Sequence, residues 1–187
     1  MVAYESSWAW SLARTELETA LPRRWAHSQG VARAAVELAP HLRCDPDLLV
    51  RSAILHDVGY SPNAVATGFH PLDGARLLRD RHHADATLVR LVANHSFALL
   101  EAEERGLREV LEAEFPILDN QVLVDALVYC DMTTTPDGSR TTVTNRIAEI
   151  IARYGPETLV GRFIQRAAPA IRASVSRVDH ALAAHPK

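Results

Sequence analysis

Apolar residues recur along this chain at the spacing of an α-helix, and this periodicity constrains the fold more than any other feature. The periodic segments begin at capping residues or prolines and end at glycines, prolines or polar loops, as helices do. Strands would need an alternation of apolar and polar residues, and no useful length of the sequence has it. The first three predicted helices occupy residues 7–21, 23–39 and 45–57. Further helices are expected to begin near residue 71, at 85, at 97 and at 119, and the one that begins at 97 has a break at 106. Two final helical runs are separated by residues 154–156. The sequence therefore predicts an all-α fold, a single-domain helical bundle.

Capping residues set several of these boundaries. We expect Ser7 to cap the first helix, and Asp45 followed by Pro46 is a strong start signal for the third. Asp119 is expected to cap a later helix, and Gly59 to adopt the left-handed conformation that often ends one. The loops at 60–69 and 133–138 then connect helices.

The composition supports one domain over residues 1–187. A chain of 187 residues that is 48% hydrophobic and 23% charged can bury a core without disulfides or metals as supports. Neither a repeat nor a linker interrupts it. The net charge of -3, from 20 basic and 23 acidic residues, provides no general basic surface, so we expect no nucleic acid polymer as a partner.

The same composition bears on location. No apolar stretch reaches the length of about 18 residues that a membrane span needs, and the first residues do not resemble a signal peptide. Cys44 and Cys130 lie in apolar contexts and are expected to be reduced thiols. We therefore expect a cytoplasmic protein without membrane contact.

Lysine is almost missing from the sequence. Lys187 is the only one, so arginine supplies 19 of the 20 basic residues. A catalytic lysine is thereby excluded for practical purposes. Any site for an anion must use arginine, backbone N–H groups or a metal ion.

The nine histidines divide into two groups. Five lie in polar turns, at a helix end or in the polar tail and are read as surface residues: His41, His82, His83, His180 and His185. Four others lie at the apolar side or end of a helical segment, where an unpaired imidazole would be costly: His27, His56, His70 and His95. Asp131 follows an apolar run in the same way. Core packing explains any one of these residues, but together they indicate a divalent metal held inside the bundle.

The adjacent pair His56-Asp57 needs a helix end to act together. Neighbouring residues of a helix point about 100° apart, so both reach one ion only where the backbone relaxes. Gly59 is expected to provide that end. Because a carboxylate has two oxygens, Asp57 can also bridge two ions.

These residues, in this order, resemble the HD superfamily of metal-dependent phosphohydrolases, which are helical proteins named for the His-Asp doublet. The resemblance lies in the segments 53–59, 70–78 and 92–95, and it covers about residues 23–131. It implies an HD-type bundle with a core of about 22–135, on which the C-terminal helices of 140–184 are packed.

The resemblance also implies a set of ligands. His27, His56, Asp57 and Asp131 would hold a first ion, and His70 and His95 a second, with Asp57 as the bridge. Such a nitrogen-rich set suits one or two divalent ions of Fe, Mn, Zn, Co or Ni. Because the ligands must be neutral histidine and ionised aspartate, metal should be lost as the pH falls through the histidine range.

The implied reaction is hydrolysis of a phosphate ester or anhydride of a small metabolite or nucleotide by metal-activated water, with Asp57 and His56 as catalytic residues. Candidate substrate contacts are Arg23, Arg24, Arg140, Arg146 and Thr134, near the motif or in the following loop. For each arginine a solvated surface charge is the alternative, and for the loop an ordinary polar turn is.

Two other functions stay open. Some relatives with the same ligand order are di-iron oxygenases, and a non-catalytic nucleotide-binding regulator would keep the fold. The lysine and Gly-Tyr-Pro signature of cyclic-dinucleotide phosphodiesterases is absent. Hydrolases of dinucleoside tetraphosphates resemble the chain in size and ligand order but not in the residues after Asp131. The substrate is expected to be a small phosphorylated compound, and the chain can form a homo-oligomer.

Overall fold

The computed structural model describes residues 3–184, and its regular structure is helical. Within this range the β pairing amounts to an isolated bridge between Thr134 and Arg140. The prediction of an all-α fold is therefore confirmed. The α-helices are α1 (Trp8–Leu17), α2 (Pro22–Leu38), α3 (Pro46–Leu55), α4 (His70–His82), α5 (Ala86–Asn94), α6 (Ala98–Glu104), α7 (Arg108–Glu114), α8 (Gln121–Met132), α9 (Val143–Tyr154) and α10 (Leu159–Ala184). Short 3-10 helices lie at Ala3–Ser6, Ala39–His41, Val58–Tyr60 and His95–Phe97.

Side-chain caps begin several helices where the sequence predicts them. The Ser7 hydroxyl accepts a hydrogen bond from the N–H of Trp10, and the Asp45 carboxylate accepts one from the N–H of Leu48. The expected cap at Asp119 is wrong by one residue, because the Asn120 side chain accepts the N–H of Leu123. Asparagine and aspartate are equally good caps, so the sequence alone does not separate two such neighbours.

The core forms where α2 packs against α3 and α8 and where α4 packs against α5. Each helix contributes a stripe of buried apolar side chains. The largest fully buried ones on these helices are Leu49, Ile54, Leu55, Leu72, Leu78, Leu88, Leu123 and Leu127. Burial of each stabilises the fold by about 1.5–3 kcal/mol. This packing fixes the ends of α3 and α5 and the middle of α2 next to α8.

A second apolar cluster joins α9 and α10 to the end of α8. Val128 and Met132 on α8 pack against Ile147 and Ile150 on α9 and against Phe163 on α10, with other residues of α10 around them. The C-terminal helices therefore cover the face of α8 next to Asp131. None of the helices described between residues 3 and 184 is long and apolar enough to cross a membrane.

Gly59 has a different role from the one predicted. It lies in the 3-10 helix Val58–Tyr60 and does not adopt a positive φ, so the expected left-handed stop is wrong. A Cβ atom at this position would lie 1.9 Å from the carbonyl oxygen of His70 and 2.5 Å from the nitrogen of Gly74. Glycine is required because the first turn of α4 crosses directly over the backbone here.

The segment between α5 and α6 is strained. Ser96 and Phe97 both have left-handed backbone conformations, with φ of 49° and 64°. Each such non-glycine residue costs about 1–2 kcal/mol, so the surrounding packing must hold them in place. The strained turn follows His95 immediately.

Candidate metal centre

The six side chains predicted as metal ligands converge in the interior. They come from α2, the ends of α3 and α5, the start of α4 and α8: His27, His56, Asp57, His70, His95 and Asp131. Five are buried, and the side chain of His70 is 12% exposed. Charged or ionisable groups at this depth need partners or a cation.

Three of the imidazoles are oriented in the same way. Nδ1 faces a backbone carbonyl in each: Thr135 at 2.9 Å for His27, Ala53 at 2.7 Å for His56, and Val92 at 2.6 Å for His95. A hydrogen on Nδ1 that donates to the carbonyl leaves the lone pair on Nε2. This is how metal-binding histidines are commonly oriented by neighbouring groups.

The Nε2 atom of His56 is the clearest sign that these residues fit a cation. It is buried and has no hydrogen-bond partner. Its nearest charged neighbours are Oδ1 of Asp57 at 3.6 Å and Oδ1 of Asp131 at 3.9 Å. Buried polar atoms are almost always satisfied, so an acceptor nitrogen left between two carboxylate oxygens suits a positive ion.

A second contact links His27 to Asp131. Nε2 of His27 lies 3.0 Å from Oδ1 of Asp131, while its Nδ1 faces the Thr135 carbonyl. In a neutral imidazole only one of these nitrogens carries a hydrogen. A cation shared by His27 and Asp131 removes the repulsion between the two lone pairs.

Asp57 lies at the junction of two donor groups. Ligand atoms of His27, His56 and Asp57 lie within 4.8 Å of one another, and so do those of Asp57, His70 and His95. Oδ1 of Asp57 is 3.5 Å from Nε2 of His70. The geometry thus has two groups of donors with one carboxylate in both, and Asp131 lies beside the first group, 3.0 Å from Nε2 of His27.

The second group contains two facing nitrogens. Nε2 of His70 and Nε2 of His95 are 3.2 Å apart. Burial lowers the pKa of His70 well below its usual value and also lowers the pKa of His95. Both rings are therefore neutral near pH 7, the form in which imidazole binds metals.

Both carboxylates are ionised despite their burial. Burial raises the pKa of Asp57, but the neighbouring His56 and Arg24 outweigh it and hold the pKa well below its usual range. Burial also raises the pKa of Asp131, but the neighbouring basic side chains of His27, His56 and Arg146 outweigh it and hold the pKa well below its usual range. The Ser96 hydroxyl donates to Oδ2 of Asp131. The centre therefore carries two negative charges at neutral pH.

Arg24 and Tyr60 support the second group from one side. Arg24 donates a hydrogen bond of 3.0 Å to Oδ2 of Asp57, and its guanidinium lies 3.9 Å from the centre of the Tyr60 ring. The Tyr60 ring in turn stacks on His70 with 4.0 Å between ring centres. Oδ2 of Asp57 is thereby occupied, and Oδ1 is left to face the imidazoles.

The donors open into a cleft of about 210 Å³. Five of the six donors line it, together with Glu101 and the guanidiniums of Arg24 and Arg105. Residues of α9 and α10 form another part of the lining, here called the C-terminal wall: Arg146, Ile150, Arg153, Tyr154, Val160, Phe163 and Ile164. A ligand in the cleft therefore meets metal-type donors and also a mixed basic and apolar surface.

Three of the arginines predicted as substrate contacts lie at or near the cleft. Arg24 and Arg146 line the cleft. Arg23 is exposed, pairs with Asp137 at 3.1 Å and lines a small recess beside His27.

Two predicted contacts lie elsewhere. Arg140 lies over the Tyr129 ring and donates to the Thr133 hydroxyl, and among the described residues it lines a different depression from the cleft. Thr134 is fully buried, and its hydroxyl donates to the carbonyl of Cys130. The expectation that these two residues face the substrate is not met, because both are folded back onto α8 and α2.

The loop after α8 supports the site through its backbone. Its predicted role was to offer hydroxyls, but those of Thr133 and Thr134 donate to carbonyls of α8. The carbonyl of Thr135 orients His27. Close contact with α2 holds the loop in place, since a Cβ on Gly30 would lie 2.5 Å from the Cα of Gly138.

Sequence reasoning missed several residues of the site, among them Tyr60, Ser96, Arg105 and Arg153. Tyr60 and Ser96 each lie within three residues of a donor histidine or aspartate, which was the available signal. Arg153 had none, because it belongs to a helix far along the chain. Of the five histidines read as surface residues, His82, His83 and His180 are exposed and His41 is half-buried, whereas His185 lies outside the described residues.

Comparison with known proteins gives matches for the same region. Residues 24–132, more than half of the chain, match the family model described as HD domain. Ribonuclease Y from Clostridium novyi (strain NT) is 31% identical over 87 residues, which cover 46% of this chain and 17% of that protein. The chain thus matches less than a fifth of that relative. No solved structure gives a significant match. The matched region contains all six donors and ends before α9.

Proposed function

Because the chain belongs to the HD domain family, a superfamily of metal-dependent phosphohydrolases, we propose that it hydrolyses a phosphate ester or anhydride of a small metabolite or nucleotide. The observation that carries the proposal is the buried, unpartnered Nε2 of His56 between the carboxylates of Asp57 and Asp131. A protein that only binds a partner has no use for such an arrangement.

Two ions can be assigned to the donors. His27, His56, Asp57 and Asp131 would hold the first, and Asp57, His70 and His95 the second. Divalent ions bound there would lower the pKa of a water molecule and withdraw charge from a phosphate oxygen. The nitrogen-rich donors suit Fe, Mn, Zn, Co or Ni.

The protein's own side chains prepare this reaction. Asp57 and Asp131 stay ionised, and His70 and His95 stay neutral, so these four donors need no proton transfer before metal binds. Arg24 holds Asp57 in one orientation. The guanidiniums in the cleft can bind phosphate oxygens with paired N–H groups, in a chain that offers no lysine for this task.

The size of the cleft supports a small substrate. About 210 Å³ accommodates a compact phosphorylated molecule, and the apolar side chains of the C-terminal wall can exclude water from its organic part. The name of the relative from Clostridium novyi, ribonuclease Y, refers to RNA, but the match covers 17% of that protein. RNA is therefore included in the test as a competing substrate.

Metal analysis of the purified protein, followed by a substrate screen, tests the proposal. The protein is stripped of metal, reloaded with Zn²⁺ or Mn²⁺ and offered phosphomonoesters, nucleotides and a short RNA. We expect about one or two ions per chain and hydrolysis of a small phosphorylated compound. Reloading with iron in air covers the oxygenase alternative: turnover with iron and O₂ alone, and none with Zn²⁺, would contradict a hydrolase.

A further inference from the structure

A small recess lies beside His27, between α2, α9 and the loop after α8. Its volume is about 50 Å³. It is lined by His27, by Pro136 of the loop and by four arginines: Arg23, Arg24, Arg146 and Arg153. We call it the arginine recess. Among the described residues that line it, all the charged side chains are therefore basic.

The guanidiniums around the arginine recess are not fully neutralised. Arg146 and Arg153 share one carboxylate, that of Glu149. Arg24 pairs with Asp57, which the metal centre also needs. The ion pair of Arg23 is mostly exposed and therefore weak. An anion in the recess would relieve the repulsion among these four cations.

The environment of Arg146 is an independent observation that points to a bound anion. Its side chain is 7% exposed, and its Nε atom is buried with no hydrogen-bond partner. A buried N–H of a charged group without an acceptor is costly. The acceptor that suits a guanidinium edge, offering two oxygens side by side, is a carboxylate or a phosphate.

The arginine recess adjoins the metal cleft. Arg24, His27, Arg146 and Arg153 line both spaces. A ligand group in the recess is therefore a direct neighbour of a group at the donors. The substrate proposed for the cleft already carries one phosphoryl group. A second phosphoryl group of the same molecule therefore suits the arginine recess better than a carboxylate does.

We propose that the arginine recess binds a second phosphoryl group of the substrate, which makes the substrate class a phosphoanhydride such as a nucleoside diphosphate or triphosphate. The inference rests on the proposed hydrolase function. With the phosphorus held beside the six donor side chains, water would add to it, and the bond from this phosphorus to the bridging oxygen would break. The bridging oxygen leaves with the electron pair on the phosphoryl group in the recess, where the arginines stabilise its charge. The protons of the water pass to the phosphate products and the solvent.

Binding to the metal-stripped protein tests the recess alone. Titration calorimetry with inorganic pyrophosphate compares the wild type with Arg146→Gln and Arg153→Gln, and Arg172→Gln is the control because that arginine is exposed and contacts Thr144. We expect the wild type to bind pyrophosphate, each recess variant to bind it about tenfold more weakly or worse, and the control to stay within about twofold. Wild-type protein without affinity, or both recess variants binding as tightly as wild type, overturns the proposal.

Kinetics with the metal restored separates this inference from the proposed function. The ratio of kcat/KM for a nucleoside diphosphate to that for a nucleoside monophosphate should fall about tenfold in Arg153→Gln. An equal loss on both substrates refutes the recess as a second phosphoryl site. If no phosphate compound is hydrolysed while pyrophosphate binding depends on the arginines, the proposed function fails and the anion site stands. Arg153→Gln decides the result if Arg146→Gln does not fold.

Discussion

The metal centre and the C-terminal wall line one cleft, but they are held by different forces. Three donor imidazoles of the centre, those of His27, His56 and His95, are held against backbone carbonyls. The arginines of the wall are long side chains held by ion pairs that are partly open to solvent. The comparison teaches that helix packing fixes the positions of the donors, while α9 and α10 add the basic and apolar surface that a ligand in the cleft would meet.

The largest effect should come from the residue shared by both donor groups. Asp57→Ala removes a donor from each group and leaves Arg24 without its partner, so we expect metal and hydrolysis to be lost together. Metal analysis and activity measurements on the folded variant check this, with exposed Asp119→Ala as the control. An Asp57→Ala protein that keeps its metal and its activity would show that Asp57 does not hold the metal, and the distinction between the metal centre and the C-terminal wall would then have no basis.

His95→Ala or His70→Ala should have a smaller effect on metal content. Each variant breaks only the second group, so we expect bound metal to fall from about two ions to about one. Arg153→Gln, a change in the wall, should leave the metal content as it is. Elemental analysis of the three proteins tests this difference, and an unchanged stoichiometry in both histidine variants would indicate a centre for one metal.

Gly59→Ala should show how strongly the centre depends on helix packing. The added Cβ meets the backbone of α4 at 1.9 Å, so α4 must move and carry His70 with it. We expect a loss of about 3 kcal/mol in the free energy of unfolding and weaker binding of the second ion. Gly68→Ala is the control, since its φ is +75° but no atom lies near the added Cβ. It should cost about 1 kcal/mol. Equal losses would show that the crossing is not tight.

The smallest effect concerns the attachment of the wall. Arg177 on α10 donates hydrogen bonds of 2.6 and 2.7 Å to buried Asp125 on α8. Asp125→Asn should reduce the free energy of unfolding by about 1–2 kcal/mol at pH 7 and leave the metal content unchanged.

This effect should depend on pH in a known direction. Burial raises the pKa of Asp125, but hydrogen bonds from Arg177, Ser174 and Gln121 outweigh it and lower the pKa below its usual range. The stabilisation is then full above the unfolded pKa of about 3.9 and is lost as the pH falls through the lower folded value. Urea titrations of both proteins from pH 7 to pH 3 should show the difference shrinking below about pH 4. A difference that grows at low pH would contradict this assignment.

The sequence predicted the helices well, and it picked out histidines and aspartates that the fold brings together, because both depend on local patterns. Helical periodicity and caps such as Asp45 mark the elements, and the buried faces identify His27 and Asp131 as residues that need partners. Periodicity does not say how two helices cross, so the tight contact of Gly59 with α4 could not be predicted.

The wall could not be derived in the same way. Arg146 was one of several arginines, and Arg153 carried no signal, because only the packing of α9 on α8 brings them to the cleft. Thr134 and Arg140 are close to Asp131 along the chain but face away from the cleft. Distance along the chain is therefore a poor guide to substrate contacts in a bundle.

Two of the donor imidazoles have a consequence for folding itself. His56 and His95 each place Nδ1 against the carbonyl three residues earlier, in the last turn of α3 or α5, where a helix runs out of N–H donors of its own. The rings thus act as C-terminal caps of these helices. Replacement by alanine would destabilise the metal-free protein as well, whereas asparagine, with a side-chain amide that can donate, would retain more of the helix end.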